Sequence, residues 1–365
     1  MKQEEYNVLG MMSGTSLDGL DIACCRFWQE EGHWKYEIKE ATTISYSEEQ
    51  RNKLSTAITL DPMDLFKMHH RYGEWLGKTA KEFLDKHKLK VDFISSHGHT
   101  IHHRPEEGYT FQAGDGAELA KHSGQTVICD YRTEDVKQGG QGAPLVPIGD
   151  RLLLSEYDYC LNLGGISNIS FEKDGKRIAY DIGIANMLLN PSAQKAGLDY
   201  DHNGDLARQG GLNEALFEAL NALEYYRLPW PKSTGYEWFA STVWPLVNSF
   251  EDTPENLLHT TVHHIAEQIA NAILSTLPGT QEPRTKNYEL LVSGGGAKNS
   301  FLMEVLQQKI GSSVHVHIPD DTLIDYKEAL VFALMGVLKM EGEVNVLSSV
   351  TGSEKDLSSG VIFIS

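Results

Sequence analysis

Val8-Leu9-Gly10-Met11-Met12-Ser13-Gly14-Thr15-Ser16-Leu17-Asp18-Gly19-Leu20-Asp21 runs from an apolar strand into a tight turn and out again. Gly10, Ser13, Gly14, Thr15, Ser16, Asp18 and Gly19 supply the turn, and a second strand, Leu20–Trp28, leaves it. Glycines let the backbone approach closely, so such a turn can aim several N–H groups and three hydroxyls at one anion. Asp18 and Asp21 add carboxylates where a phosphate-bound cation would sit. The same residues also suit an ordinary hairpin with a solvated rim, and the turn alone does not decide between the two.

The rest of the chain narrows the choice. With 365 residues, 41% hydrophobic and 23% charged, it is long enough for two domains, each with its own core. Asp and Glu outnumber Lys and Arg by 51 to 32, a formal charge of −19, which repels nucleic acid and anionic membranes. Cys24, Cys25, Cys129 and Cys160 show no CxxC spacing, and three of them lie in apolar runs, as reduced core residues of a cytoplasmic protein would. The stretch Met1–Tyr6 is polar and acidic, unlike an export signal, and no apolar run reaches the length of a membrane span.

In order, Tyr6–Gly10, Leu20–Trp28 and Trp34–Ser45 read as three strands. Asp61-Pro62 opens a helix with Leu65, Met68, Tyr72, Trp75, Thr79 and Phe83 on one face. The strand Val91–Ser95, a loop from Ser96 to Pro105, a strand near Tyr109–Gln112, a helix near Gly116–Ser123 and the strand Thr126–Cys129 follow. The pattern then restarts. Tyr157–Leu163, Ile169–Glu172 and Arg177–Ile182 make three strands, the first two joined through Gly164-Gly165-Ile166-Ser167-Asn168. After an irregular region rich in Trp and Pro, a helix opens at Thr253-Pro254, then come the strand Tyr288–Val292, a helix from Asn299, the strand Val314–Ile318 and a last helix from about Asp325 to Met340. The expected fold is α/β, a duplicated βββαβα unit divided between residues 1–145 and 146–365, with a central cleft and one phosphate-type hairpin in each half.

The duplicated hairpins resemble the two phosphate loops of the sugar kinase, hsp70 and actin superfamily, and Leu291-Val292-Ser293-Gly294-Gly295-Gly296-Ala297-Lys298-Asn299 resembles its adenosine-binding motif. The chain as a whole resembles the anhydro-N-acetylmuramic acid kinases. The resemblance rests on Met-Ser-Gly-Thr-Ser-Leu-Asp-Gly at 12–19, Ser-His-Gly-His-Thr at 96–100, Gly-Gly-Gln-Gly-Ala-Pro at 139–144, Asn-Leu-Gly-Gly-Ile-Ser-Asn-Ile at 162–169, the segment at 181–189 and Ser-Val-Thr-Gly at 349–352. These motifs span nearly the whole chain. The resemblance implies two actin/hsp70-like ATPase domains, ATP and Mg²⁺ as cofactors, and a homodimer. The activity it implies is phosphorylation of O6 of a 1,6-anhydro amino sugar while water opens the ring at C1, giving N-acetylmuramic acid 6-phosphate for peptidoglycan recycling.

Under that resemblance Gly14, Thr15, Ser16, Leu17, Asp18, Gly19, Leu20 and Asp21 fall in the ATP site, as do Gly164, Gly165, Asn168, Gly294, Gly295, Gly296 and Asn299. Asp181 is expected as the catalytic base; a helix cap is the other reading of the same residue. His97 and Thr100 are expected to bond the sugar, although a solvated loop, or a zinc site drawn from His97, His99, His102 and His103, also fits a histidine cluster. Arg132 is expected to hold the lactyl carboxylate, or else to sit in an ion-paired strand end with Asp130 and Asp135. Glu328 is expected beside sugar and metal, with Asp181 as the other Mg²⁺-side carboxylate; a first-turn acid favoured by the helix dipole is the plainer reading.

Two departures from the family pattern stand out. Gly183-Ile184-Ala185-Asn186 replaces a more glycine-rich loop after Asp181, and His99 occupies a position often held by Gln. The altered loop leaves room for another anhydrosugar such as levoglucosan, against which Arg132 argues. A non-catalytic nucleotide-dependent sugar sensor is the more distant alternative. The Gly139–Gly142 segment reads as a hinge or substrate loop, and Asp201–Asp205 as a structured turn, because Leu212 stands where a calcium loop needs glutamate.

Overall fold

The computed structural model describes residues 4–277 and 287–365. Twelve strands are named among them. Six enter the first half of the chain: β1 (Glu5–Ser13), β2 (Gly19–Glu30), β3 (His33–Ser45), β4 (Phe93–Arg104), β5 (Tyr109–Ala113) and β6 (Val127–Cys129). The others are β7 (Tyr159–Leu163), β8 (Ile166–Lys173), β9 (Lys176–Ile184), β10 (Tyr288–Ser293), β11 (Val314–His317) and β12 (Val361–Phe363).

The two sheets share one wiring. One is ordered β12-β6-β4-β1-β2-β3, with β5 added to β4; the other is ordered β11-β10-β7-β8-β9. In both, the first three strands are antiparallel neighbours, and two later strands, β4 and β6 in one and β10 and β11 in the other, are added parallel on the far side of the first. This is the duplicated βββαβα unit in α/β form, with β5 and β12 as additions to the first sheet.

The chain divides into two compact units, residues 1–154 with 326–365, and residues 155–325. This corrects the expected division at 145/146. The C-terminal forty residues, assigned from sequence to the second half, pack with the first, and β12 pairs antiparallel with β6. The boundary falls inside the helix Asp321–Glu341.

The first core gathers Leu9, Met11, Leu20 and Ile22 of β1 and β2 with Leu76, Ala80 and Phe83 from the helix Pro62–His87. That helix starts as its sequence predicts, with Asp61 accepting from Met63 N and Asp64 N ahead of a first-turn proline. Glycine sets a second contact: a Cβ on Gly10 would lie 2.0 Å from the Ala329 carbonyl oxygen, so only glycine lets the helix Asp321–Glu341 press onto β1. Helix Glu48–Thr56, closed by a Ser47–Gln50 capping box, was not expected. In the second unit Leu161, Leu163, Ile169 and Phe171 pack against Leu258, Val262, Ile265 and Ile269 of the helix Pro254–Leu274. All four cysteines are buried.

Candidate active site

In the first unit the exposed tip of the β1–β2 hairpin consists of Gly14 to Asp18, with Leu17 at φ 60 and its N–H on Gly14 O at 3.3 Å. Thr15, Ser16 and Asp18 are exposed there. The other members of the expected phosphate loop are occupied by the sheet. Gly19 lets β3 approach, since a Cβ would lie 2.6 Å from Ile44 O; Leu20 is core; and Asp21 accepts from the Thr43 hydroxyl at 2.6 Å.

The stretch expected as a loop from Ser96 to Pro105 is instead strand: β4 continues to Arg104 because β5 pairs with it from His99 to Arg104. Gly98 is held at φ +72 with Ala113 O 2.4 Å from where a Cβ would stand, so no other residue fits this crossing. The four histidines do not converge. His97 accepts from Arg132 Nε at 2.9 Å, His99 meets Ser13 at 2.8 Å, and His103 meets Thr110 at 3.1 Å. Thr100 is half-buried, with Gln112 Nε2 at 3.4 Å from its hydroxyl.

Arg132 is anchored rather than ion-paired at a strand end. Its Nε donates to His97, its Nη1 donates to Gly142 O at 2.5 Å, and Nη2 has no partner among the described residues. Burial lowers its pKa to about 10, against the pull of Glu328 and Asp135, so it remains a cation at neutral pH. Burial and the adjacent guanidinium together push His97 well below its usual range, and it stays neutral. Gly142 is fixed in turn by Asp135, which is fully buried: Oδ2 accepts from Gly142 N at 2.7 Å and Oδ1 accepts from the Thr351 hydroxyl at 2.7 Å. The 139–144 and 349–352 motifs thus meet in one clamp, whose distant sequence positions concealed it.

Glu328 lies about two turns into its helix, which starts at Asp321 rather than 325, so it is not a first-turn acid. Its surface is open to water, while the protein around it raises its pKa against the pull of Lys327 and Arg132. Lys327 next to it is buried and paired with Asp150 at 3.1 Å.

In the second unit Asp181 sits on β9 opposite Asn168 of β8. It does not cap the following helix, Asn186–Gln194, whose N-cap residue is Ala185 with no side-chain bond. Its Oδ2 accepts from Thr234 N at 3.0 Å, its backbone N–H donates to Lys232 O, and its carbonyl accepts from Tyr225 OH at 2.8 Å. Burial raises its pKa, and the Thr234 N–H offsets part of that rise. The departing residues Ile184 and Ala185 point into the core at 2% and 1% exposure, so the altered loop changes packing rather than a polar surface.

Gly164 and Gly165 form a two-residue turn whose carbonyls accept from Ala185 N, Asn186 N and Met187 N, which docks the hairpin on the chain leaving Asp181. Asn186 adds a bond from Nδ2 to Leu163 O at 3.1 Å, a role the sequence did not disclose. Gly294 and Gly296 press against Leu163, whereas Gly295 faces open space. Asn299 caps the helix Ser300–Ile310 through Leu302 N at 3.0 Å. Beside this turn lies a cavity of about 350 Å³ lined by Tyr200, His202, Asn203, Gly295, Lys298 and Asn299, within the range of small-ligand sites. The 201–205 segment is a structured turn, with Asp201 accepting from Leu206 N and Ala207 N at 2.8 Å each.

Residues 6–365 match the family described as anhydro-N-acetylmuramic acid kinase. A curated relative of that name from Haemophilus influenzae is 35% identical, covering 100% of this chain and 98% of its own length. Another, from Xanthomonas oryzae pv. oryzae, is 33% identical over 97% of this chain and 96% of its own. The chain belongs to the anhydro-N-acetylmuramic acid kinase family. Membership makes it a kinase, and kinase chemistry draws on ATP. Among solved structures, component A of the (R)-2-hydroxyglutaryl-CoA dehydratase of Acidaminococcus fermentans is similar at 12% identity and a TM-score of 0.44, covering 92% of this chain and 99% of that one. Among the described residues no helix is long and apolar enough to cross a membrane.

Proposed function

We propose that this kinase transfers the γ-phosphoryl group of ATP to O6 of 1,6-anhydro-N-acetylmuramic acid while water attacks C1. The C1–O6 bond breaks as the water oxygen bonds to C1, O6 takes the phosphoryl group, ADP leaves, and the water proton goes to Asp181. The products are N-acetylmuramic acid 6-phosphate and ADP. The observation that carries this reading is the state of Asp181: one carboxylate oxygen is pinned by the Thr234 N–H, and Oδ1 is without a partner among the described residues. A base held by one oxygen keeps the other for a proton, and a positioned base contributes roughly 10²–10⁴-fold.

Arg132 is assigned to the lactyl carboxylate, because its Nη2 remains available on an anchored guanidinium. His97 and Thr100 are assigned to the sugar. The exposed tip Gly14–Asp18, with Gly164, Gly165 and Asn168, is assigned to the phosphates, and the cavity at Gly295 to the nucleoside.

Among the described residues no group of three or more His, Cys, Asp or Glu is arranged to hold a metal. The donor set therefore fits Mg²⁺ only in its usual form with nucleotides, on phosphates and water with one or two carboxylates. Glu328 would hold it, and it would neutralise charge on the transferring group. A cytoplasmic homodimer acting in peptidoglycan recycling completes the reading.

The test is ATP-dependent turnover of 1,6-anhydro-N-acetylmuramic acid against levoglucosan, which lacks the lactyl and acetamido groups. Turnover of the muramic sugar, with levoglucosan poor, supports the proposal. Turnover of levoglucosan alone moves the assignment to another anhydrosugar, and ATP binding without turnover of either moves it to a sensor.

A further inference from the structure

Four side chains of the second unit form a line behind the Gly164-Gly165 turn that the roles assigned above do not use. His264 of the helix Pro254–Leu274 is fully buried, with Nε2 at 2.9 Å from Tyr226 OH and Nδ1 at 2.7 Å from Asn221 Oδ1. Asn221 Oδ1 also accepts from Gln268 Nε2 at 2.7 Å. At its other end the line meets β9: the Tyr226 hydroxyl is hydrogen-bonded to the backbone of Ile184, and a Cβ on Gly183 would stand 2.5 Å from the Tyr226 ring. Gly183 and Ile184 close β9, the edge strand of its sheet, just past a bulge. Ser167 pairs with Gly183 but Asn168 pairs with Asp181, which leaves Ile182 as the extra residue. The next three residues, Ala185, Asn186 and Met187, are those whose N–H groups hold the carbonyls of Gly164 and Gly165.

The backbone end gives this line its direction. Burial raises the Tyr226 pKa and the Ile184 backbone offsets part of that rise, the mark of an N–H donating to the phenol oxygen. Tyr226 has one proton of its own, and the remaining partner among the described residues is His264 Nε2. His264 therefore accepts at Nε2, keeps its proton on Nδ1 and donates it to Asn221 Oδ1. Burial lowers the His264 pKa to about 3, so the ring is neutral at physiological pH. Removing the Tyr226 hydroxyl would strand both the Ile184 N–H and the buried His264 nitrogen, which is costly. The turn itself is two glycines without side chains to anchor, so its place is set by the groups that take its carbonyls.

We infer that Tyr226 and His264 are positioning residues for the second phosphate turn, fixing the end of β9 and, through Ala185–Met187, the place of Gly164 and Gly165. The consequence for ATP rests on the assignment of that turn to phosphate proposed above; the hydrogen-bond line does not. Asp181, on the other side of the bulge, keeps its own bonds to Thr234 and Lys232, so the effect falls on nucleotide binding rather than on the base. A glutamine can keep both bonds of His264, accepting from Tyr226 through its carbonyl and donating to Asn221 through its amide, so His264→Gln preserves the device. Tyr226→Phe removes it.

The test uses the full chain labelled with ¹⁵N-histidine and ¹⁵N-glycine, with His264 assigned by the signals missing from His264→Gln and Gly165 by those missing from Gly165→Ala. The wild type is expected to show a protonated Nδ1 and a bare Nε2 on His264 at pH 7, and Tyr226→Phe to move the Gly165 amide signal. In steady-state kinetics Tyr226→Phe is expected to raise the ATP KM by roughly three- to tenfold, the worth of one hydrogen bond, with the sugar KM unmoved and His264→Gln near wild type. A proton on Nε2 in the wild type, or an unmoved Gly165 signal in Tyr226→Phe, overturns the inference. So does an ATP KM that stays unchanged in Tyr226→Phe, or one that rises together with the sugar KM, as a general loss of structure would make it. A wild-type Gly165 amide that does not respond to ATP defeats the phosphate assignment and the kinetic consequence together, while the His264 nitrogens and the Gly165 signal in Tyr226→Phe still decide the positioning.

Discussion

The two units share a strand order but hold their reactive groups by different means. In the first, Arg132 is set by side chains and one glycine carbonyl, through His97 and through the Thr351–Asp135–Gly142 clamp. In the second, the Asp181 carboxylate is set by main chain, the Thr234 N–H; Lys232 O takes its own N–H, and one side chain, Tyr225, reaches its backbone carbonyl. A group positioned by side chains can be displaced by one distant substitution. A group positioned by backbone is robust to such changes and answers chiefly to its own replacement.

The largest expected effect tests the second half of that contrast. Asp181→Asn should lower kcat by about 10²–10⁴-fold while the fold persists. Because the folded carboxyl is raised above its ordinary value, the native state binds its proton more tightly than the unfolded chain. Its stability contribution therefore falls as pH rises through that window and stays lost above it. Denaturant unfolding at pH 7 should find Asp181→Asn no less stable than wild type; a clear loss would give Asp181 a structural role. The same shift puts the acid limb of the kcat profile above the ordinary aspartate pKa, with activity lost as pH falls and the base is protonated.

Next comes the side-chain-held cation. Arg132→Gln should raise the KM for a carboxylate-bearing sugar by about 10–100-fold, the range of charge-assisted hydrogen bonds, with the ATP KM little changed. The clamp behind it should show the same kinetic direction at smaller scale. Thr351→Val strips one partner from a fully buried carboxylate and should cost about 1–3 kcal/mol in unfolding, with a several-fold rise in sugar KM. Normal sugar kinetics in a destabilised Thr351→Val would break the link from clamp to Arg132. The smallest effect belongs to Asn299→Ala, which removes a helix cap and should cost about 1 kcal/mol. An ATP KM raised with it would show that Asn299 also touches the nucleotide.

The duplicated strand pattern was legible because hydrophobic runs and glycine turns are local signals. Asp61-Pro62 and Thr253-Pro254 announced their helices for the same reason. The sequence failed to reveal what depends on distant pairing. Ser96–Arg104 is polar and histidine-rich enough to look like a loop, yet β5 holds it as strand. The three residues of β12 are too few to read alone, and their place beside β6 returns the chain end to the first unit. The Ser47–Gln50 capping box is, by contrast, a local signal that the sequence carries. Among the proposed site residues, Asp181, Arg132 and Glu328 are named by the family resemblance. Asp135, Thr351 and Thr234 act through partners 7 to 216 positions away, and spacing cannot reveal that.

The most direct measurement is the fate of ¹⁸O from labelled water during ATP-dependent turnover of 1,6-anhydro-N-acetylmuramic acid, in wild type and in Asp181→Asn. The account predicts label on C1 of a 6-phosphorylated product from the wild type, and almost no product from the variant. A 6-phosphorylated product without label at C1, or labelled product formed at an undiminished rate by Asp181→Asn, would contradict it.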